Sequence, residues 1–325
     1  MANQEFASQL PSVDLLAAWI ERTWALGTVD AVELINLSEN AMYRVDVAGN
    51  TAFVLRISQP GYQSRQALVT ELWWMEQLKS LDELEVEIAE VIAGKNGEAL
   101  QLLSTLRHLH CALFSFLDGQ KIARRELSIA DFNTLGRVAA TMAQIGLDAS
   151  HERPRWAPAY FLAPKYAWGN WRDSDAVEAQ VRTALESDEQ RVLGMLLGAN
   201  FGYHLIHGDM RAANLLRRHD GGLALLDFDD AVEAPAIVDL AGALSFDEAL
   251  PSLAERVAAW CCGYGEVQPL DKEQRKSLPA FLMLRRLSLL GWMTTHPLAP
   301  EAQELGVEFV HDTVGLYDKL VATVT

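Results

Sequence analysis

The chain has 325 residues, and 27 Lys and Arg against 44 Asp and Glu leave a formal net charge of −17. Half the residues are hydrophobic and 22% are charged, a globular composition that excludes disordered, collagen-like and low-complexity chains; the length exceeds the about 100–200 residues of one domain and predicts two lobes. The acidic balance argues against nucleic acid and against an anionic membrane surface as partners, because both require clustered Lys and Arg. Three cysteines, Cys111, Cys261 and Cys262, cannot build a disulfide framework and show no metal-binding spacing. The first residues lack the basic and apolar regions of a signal peptide. The most apolar stretch, 192–206, is interrupted by Asn200 and His204 and is too short for a membrane span. The expectation is a cytoplasmic protein.

In chain order, 10–26 reads as an amphipathic helix with Pro11 in its first turn and Gly27 beyond its end. Residues 32–37, 42–48 and 51–57 then read as a three-stranded meander with a Gly49-Asn50 turn. Pro60-Gly61 breaks the chain before a helix over 64–81. Residues 88–93 and 100–104 predict a hairpin around Lys95-Asn96-Gly97, and 111–117 a further strand ending at Asp118-Gly119. Helices are expected at 128–146 and 175–197, with an aromatic connection carrying Trp156, Tyr160, Trp168 and Trp171 between them. Four more are expected at 237–248, 251–264, 271–293 and 301–322. Strands first and helices later predict an α+β fold, with residues 1–117 as a strand-rich lobe and 118–325 as a helical one.

The informative segment is HGDMRAANLL at 207–216 followed by LLDFDDA at 225–231. Residues 214–218 and 223–228 read as strands of a hairpin around 219–222. With Arg218 opposite Leu223, counting four residues outward sets Asn214 opposite Asp227, on one face and about 4.5–5.5 Å apart at Cβ. An amide oxygen and a carboxylate so placed can share a hard cation such as Mg2+, which commonly takes one or two protein oxygens and completes its shell with phosphate and water. Asp209 precedes the first strand and could accept a proton from an attacking hydroxyl. Asp229 either assists the metal or caps the strand end.

This spacing is the phosphoryl-transfer arrangement of eukaryotic-type kinases. With Pro235 to Ala241 following, it resembles the aminoglycoside phosphotransferase/choline kinase superfamily, nearest the branch of type II homoserine kinases and bacterial stress-response kinases. The resemblance implies a bilobal protein-kinase-like fold, ATP and Mg2+ as cofactors, Asn214 and Asp227 as metal ligands, and Asp209 as the residue that takes the acceptor proton. It also places a phosphate-contacting residue at Arg56, where the family usually has Lys, with Glu71 as the partner that orients it. The loop holding Ser38 and Asn40 would cover the nucleotide phosphates, and the backbone from Ser115 to Leu117 would pass the adenine. His207 is expected to orient the catalytic loop, and Asp239 to bind loop backbone at a helix start. Arg211 is either within reach of the transferred phosphate or solvated. Trp292 and the aromatics of 156–171 either line a substrate pocket or pack in the helical core.

These residues predict a phosphotransferase acting on a hydroxyl of a small molecule such as an amino alcohol or aminoglycoside. Two alternatives stand beside it: a Ser/Thr protein kinase of the stress-response kind, and a non-catalytic nucleotide-binding protein. No APE-type activation segment follows Asp227, which favours a small acceptor. The acidic surplus either favours a cationic acceptor or simply maintains solubility. The acceptor, the ATP or GTP preference and the oligomeric state are not written in these motifs.

Overall fold

Ser12 opens α1 (Val13–Thr23) by accepting the Leu15 N–H, and Leu16 and Ile20, one turn apart, are its buried residues. Pro11 thus precedes the cap and lies outside the first turn. The computed structural model describes residues 6–49, 51–104, 108–147, 150–158 and 169–324. The expected meander follows as β1 (Val29–Leu37), β2 (Asn40–Val47) and β3 (Thr51–Ser58). β2 and β3 pair without a break from Asn40 opposite Ser58 to Val47 opposite Thr51. Ser64 then caps α2 (Arg65–Lys79), its hydroxyl accepting the Ala67 N–H at 3.0 Å.

Next come β4 (Val86–Ile88), β5 (Val91–Ile92), β6 (Gln101–Ser104) and β7 (His108–Ser115). Here the structure corrects the expected hairpin of 88–93 with 100–104. β5 and β6 do not pair with each other; both pair with β7, at Val91–Phe114 and Gln101–Cys111 respectively. The turn closed by Gly94 N–H on Glu98 O at 2.9 Å carries the chain from one to the other. β7 has eight residues, enough edge to accommodate both short strands.

Alternation along these strands decides what faces where. Tyr43 and Val45 of β2, Leu55 and Ile57 of β3, and Cys111 and Leu113 of β7 form a core with Leu16, Ile20 and Trp24. Arg56, between Leu55 and Ile57, is therefore on the opposite face, and there α2 presents Glu71.

After β8 (Gln120–Lys121) the chain turns helical with α3 (Ile129–Met142) and α4 (Ala179–Leu197). Short strands β9 (His204–Ile206), β10 (Leu215–Arg217), β11 (Leu223–Leu225) and β12 (Val232–Ala234) bracket the motif segment. Helices α5 (Ile237–Ala243), α6 (Leu253–Val267), α7 (Lys272–Lys276), α8 (Leu278–Thr295), α9 (Pro300–Thr313) and α10 (Leu316–Val324) complete it. The single helix expected over 271–293 is two. Pro279 sits in the first turn of α8, where its missing N–H is harmless, and cannot continue α7. The helix expected over 301–322 is likewise divided, with Gly315 at φ 72° between α9 and α10.

The chain forms two compact units, one of residues 1–120, 147–153 and 218–229, the other of 121–146, 154–217 and 230–325. This differs from a single cut at 117/118, for reasons visible in the pairing. β11 pairs parallel with β4, Leu223 opposite Val86, and Glu152 N–H donates to Thr70 Oγ1 of α2 at 3.0 Å. In the second unit α3 and α6 approach through glycines. A Cβ on Gly263 would lie 1.9 Å from Asn133 O, and one on Gly136 would lie 2.1 Å from Trp260 O, so any side chain there would force the helices apart. In α8 every residue from Leu278 to Gly291 is buried. No helix among the described residues is long and apolar enough to cross a membrane.

Candidate active site

β9 ends at Ile206, opposite Val232 of β12, and the chain then turns sharply at Gly208, whose φ is 84°. A Cβ at Gly208 would lie 2.5 Å from Asp230 O, so conformation and space both require glycine. Asp239 of α5 fixes this turn by accepting the N–H groups of Gly208 at 2.7 Å and His207 at 3.2 Å. Burial pushes the Asp239 carboxyl up to about 7, against the opposing pull of those two donors. His207 is fully buried, and its Nδ1 accepts the Asp209 N–H at 3.2 Å.

Asp209 is buried among donors. Arg285 Nη2 of α8 donates to Oδ1, and Arg211 Nε donates to Oδ2 at 3.0 Å. Asn214 Nδ2 donates at 2.9 Å to both Oδ2 and the backbone carbonyl of Asp209. Burial alone would raise this carboxyl's pKa, but the charges of Arg211, Arg285 and His207 outweigh it and hold the group below the ordinary aspartate value. Asn214 spends its amide nitrogen here, which leaves its amide oxygen as the atom a hard cation would take.

In the first unit Arg56 and Glu71 form a forked pair, with Nη1–Oε1 at 2.5 Å and Nη2–Oε2 at 3.0 Å. Both are almost completely buried. Burial would lower the Arg56 pKa, but Glu71, and more distantly Asp229 and Asp227, keep it above the ordinary value. The guanidinium lies 5.3 Å from the Phe114 ring centroid. Its Nε–H is buried, and no partner for it exists among the described residues. An anion would satisfy such a donor.

Asp227 and Asp229 differ sharply. Asp227 is exposed at φ 65°, whereas Asp229 is buried, with Oδ2 accepting Asn40 Nδ2 at 2.7 Å. The Asp229 backbone carbonyl accepts Gln63 Nε2 at 3.1 Å and Arg153 Nη2. Burial, helped by the charge of Glu71, raises the Asp229 carboxyl, while Arg56 and hydrogen bonds with Asp227 and Asn40 oppose the shift. Two adjacent acids, one of them reluctant to ionise, are a donor set that a divalent cation would fit. Among the described residues no group of three His, Cys, Asp or Glu gathers to hold a metal unaided, so such a cation would draw the rest of its shell from phosphate, water and amide oxygen.

Several expected placements change. Asn214 and Asp227 are not ladder partners, because neither is in a strand. Asn214 closes a 3-10 turn at Ala212–Asn214, and Asp227 lies beyond the end of β11 in a left-handed conformation. Asn40 binds Asp229, so its amide nitrogen is already engaged. Ser38 spends its backbone N–H on Asn40 O at 3.0 Å, and its hydroxyl sits 3.5 Å from Asn36 Nδ2. Ser115 cannot offer its N–H to an adenine, since that group donates to Glu90 O at 2.9 Å; the neighbouring Phe116 N–H goes to Ala52 O. Leu117 follows just past the strand, half-buried.

Among the aromatics, Trp171 is core, donating Nε1–H to Glu189 at 2.7 Å. Trp156 packs on Phe281. Tyr160 and Trp168 lie outside the described residues. Trp292 is half-buried, 5.4 Å from the Arg211 guanidinium. Reading the sequence missed Arg285, although two adjacent arginines inside the otherwise apolar FLMLRRLSLLGW were a usable signal. It also missed Gln63 and Arg153, for which no pattern exists.

Two kinds of likeness bear on this geometry. A model of the phosphotransferase enzyme family matches residues 31–270. A solved microcompartment-associated aminopropanol kinase is 27% identical, with 95% of this chain and 98% of that one covered at a TM-score of 0.80. An amicoumacin kinase in complex with AMP-PNP, Ca2+ and Ami is 16% identical, with 97% and 96% covered and a TM-score of 0.76. A spectinomycin phosphotransferase in complex with ADP and spectinomycin is 14% identical, with 96% and 99% covered and a TM-score of 0.68. The α+β, protein-kinase-like architecture expected from the motifs is the one these structures share. No curated protein matches the chain.

Proposed function

The chain belongs to the phosphotransferase enzyme family, and we propose that it moves the γ-phosphoryl group of ATP to a hydroxyl of a small amino alcohol. The observation that carries this reading is Asp209: a buried carboxylate, kept ionised, with its oxygens fixed by named donors. Such a group accepts a hydrogen bond from an incoming O–H and points the oxygen lone pair at the phosphorus. The new O–P bond forms as the bond to the β-phosphate oxygen breaks, and the hydroxyl proton passes to Asp209 and on to water. A carboxylate held below its ordinary pKa is a weak base, but phosphoryl transfer through a loose transition state asks mainly for orientation.

Arg56, oriented by Glu71, would meet the nucleotide phosphates with the Nε–H that has no partner among the described residues. The Asn214 amide oxygen and the Asp227 carboxylate would hold Mg2+, with Asp229 beside them anchoring Asn40. The bound ion supplies neutralisation of the β- and γ-phosphate charge. The Ser38 hydroxyl would lie over the phosphates and the Leu117 backbone beside the adenine. The amino alcohol class is supported by the likeness to the aminopropanol kinase over nearly the whole of both chains and by the acidic surplus, which suits a cationic acceptor.

The test is ATP turnover with Mg2+ against a panel of amino alcohols, aminoglycosides, sugars and model proteins. Turnover dependent on an amino alcohol, with phosphate recovered on its hydroxyl, is expected. Phosphorylation of protein alone would replace this reading with a protein kinase.

A further inference from the structure

Counting lone pairs around Asp209 raises a difficulty. Oδ2 already accepts Asn214 Nδ2 at 2.9 Å and Arg211 Nε at 3.0 Å, and a carboxylate oxygen takes about two such bonds in its plane. Oδ1 accepts Arg285 and keeps room for one more bond, beside a guanidinium that is itself held fast. An acceptor hydroxyl that is to reach Oδ2 instead needs one of its two donors to leave, and the three donors around the carboxylate differ in how firmly they are held.

Asn214 is buried and spends the same Nδ2 on the Asp209 backbone carbonyl. Arg285 is fixed more thoroughly. Its side chain is 8% exposed, its helix is buried on every side through Gly291, and its Nε donates to Ser245 Oγ at 2.8 Å. That hydroxyl in turn donates to Gly242 O at 2.6 Å, so the chain of bonds is directional and leaves Arg285 no freedom. Arg211 is different. Its side chain is 23% exposed, and a second carboxylate, Glu301 of α9, lies 3.4 Å from its Nη1. The Trp292 ring 5.4 Å away offers a surface against which the guanidinium can slide.

We infer that the two arginines divide the carboxylate between them: Arg285 is a positioning residue that immobilises Oδ1, and Arg211 is the exchangeable partner that yields Oδ2 to the acceptor hydroxyl by moving onto Glu301. The inference rests on Asp209 being the group that receives the acceptor. Arg285 then acts on the orientation of the reacting oxygen, and so on kcat. Arg211 competes with the acceptor for one oxygen, and so acts on its KM.

The experiment compares the wild-type chain with Arg285→Met, Arg285→Lys, Arg211→Gln, Asp209→Ala and the pair Asp209→Ala/Arg285→Met. With ATP, Mg2+ and 1-amino-2-propanol, Arg285→Met is expected to lower kcat by about 30-fold or more, the scale of a misoriented reacting group, with acceptor KM nearly unchanged. Arg285→Lys should recover part of that loss, and Arg211→Gln should lower acceptor KM about fivefold, with a smaller loss of kcat than Arg285→Met shows. Equal splits for the two residues, or no recovery by lysine, overturn the assignment. Melting without ligands gives an independent arm. If Arg285 is tied to Asp209, the double variant melts no lower than the worse single variant, because no unpaired charge remains buried. Additive losses overturn the pairing. If the wild type phosphorylates no amino alcohol, the proposed acceptor class fails, the melting arm still decides Arg285, and ATP hydrolysis with water as acceptor decides the split: lowered more by Arg285→Met than by Arg211→Gln if the inference holds.

Discussion

Arg56 and Arg285 are both buried guanidinium groups tied to a buried carboxylate, one in each unit, yet they are finished differently. Arg285 spends Nη2 on Asp209 and Nε on Ser245. Arg56 grips Glu71 with both Nη groups and keeps a buried Nε–H that nothing among the described residues accepts. A donor that is spent marks geometry completed by the protein itself. A donor left over in the interior carries a desolvation cost that a bound ligand, ion or water removes. In the first unit the carboxylate positions the cation, and in the second the cation positions the carboxylate. On the proposed function, the difference would separate a group that meets the nucleotide from one that positions the reacting carboxylate.

The sharpest break of this comparison is at Asp209. Asp209→Asn keeps the shape and removes the charge, and turnover is expected to fall by about 10²–10⁴-fold. The nucleotide dissociation constant, followed by titration calorimetry, should stay within about threefold, since the first unit is untouched. A parallel loss of nucleotide binding would contradict the division of roles.

Arg56→Met comes next. It strands the Glu71 carboxylate in the interior and should cost about 3–5 kcal/mol of stability, read from denaturant unfolding, together with a large rise in ATP KM. Adding Glu71→Leu should restore most of the stability, because an apolar pair of similar size replaces a buried ion pair without loss. The ATP KM should not recover. Stability and binding returning together would show that Arg56 serves the core alone.

A smaller effect is expected from Asn40→Ala, which removes the 2.7 Å donor from the buried Asp229. A loss of about 1–3 kcal/mol follows from leaving that oxygen unsatisfied. The ATP KM should rise only modestly, because the amide nitrogen is occupied by Asp229. A collapse of nucleotide binding with stability intact would instead mark Asn40 as a direct phosphate contact.

How much of this was readable from residues alone depends on whether the cause is local. The meander, the helices expected to begin at 64 and 128 and the 207–230 motif spacing are local, set by alternation, by a serine hydroxyl within a turn of the N–H it accepts and by short chain separation. Partner choice is not local. β5 and β6 could have formed a hairpin, and only the free edge of β7 decides otherwise. Asn40 finds its partner 189 residues away, and Arg285 finds Asp209 at a separation of 76. Composition shows that two arginines in an apolar helix need carboxylates, but only the fold shows which.

The finest test of the comparison is Arg56→Lys, which installs the residue the resembling family ordinarily carries. Two effects oppose each other. Lysine loses the planar fork that makes two bonds to Glu71, replacing a bidentate pair with a point charge. It also removes the buried Nε–H, so nothing is left unsatisfied when no ligand is bound, and its three ammonium donors can be shared between Glu71 and a phosphate. Each effect is about 1 kcal/mol, so the net change in stability should stay within about 1 kcal/mol, measured by denaturant unfolding without nucleotide. With nucleotide the balance differs, because arginine's spare donor is then used while lysine must divide what it has. The stabilisation gained on adding ATP should therefore be smaller in Arg56→Lys than in the wild type. An equal or larger gain would show that the Nε–H of Arg56 does not meet the nucleotide, and that its open donor is a cost of the core and not a preparation for substrate.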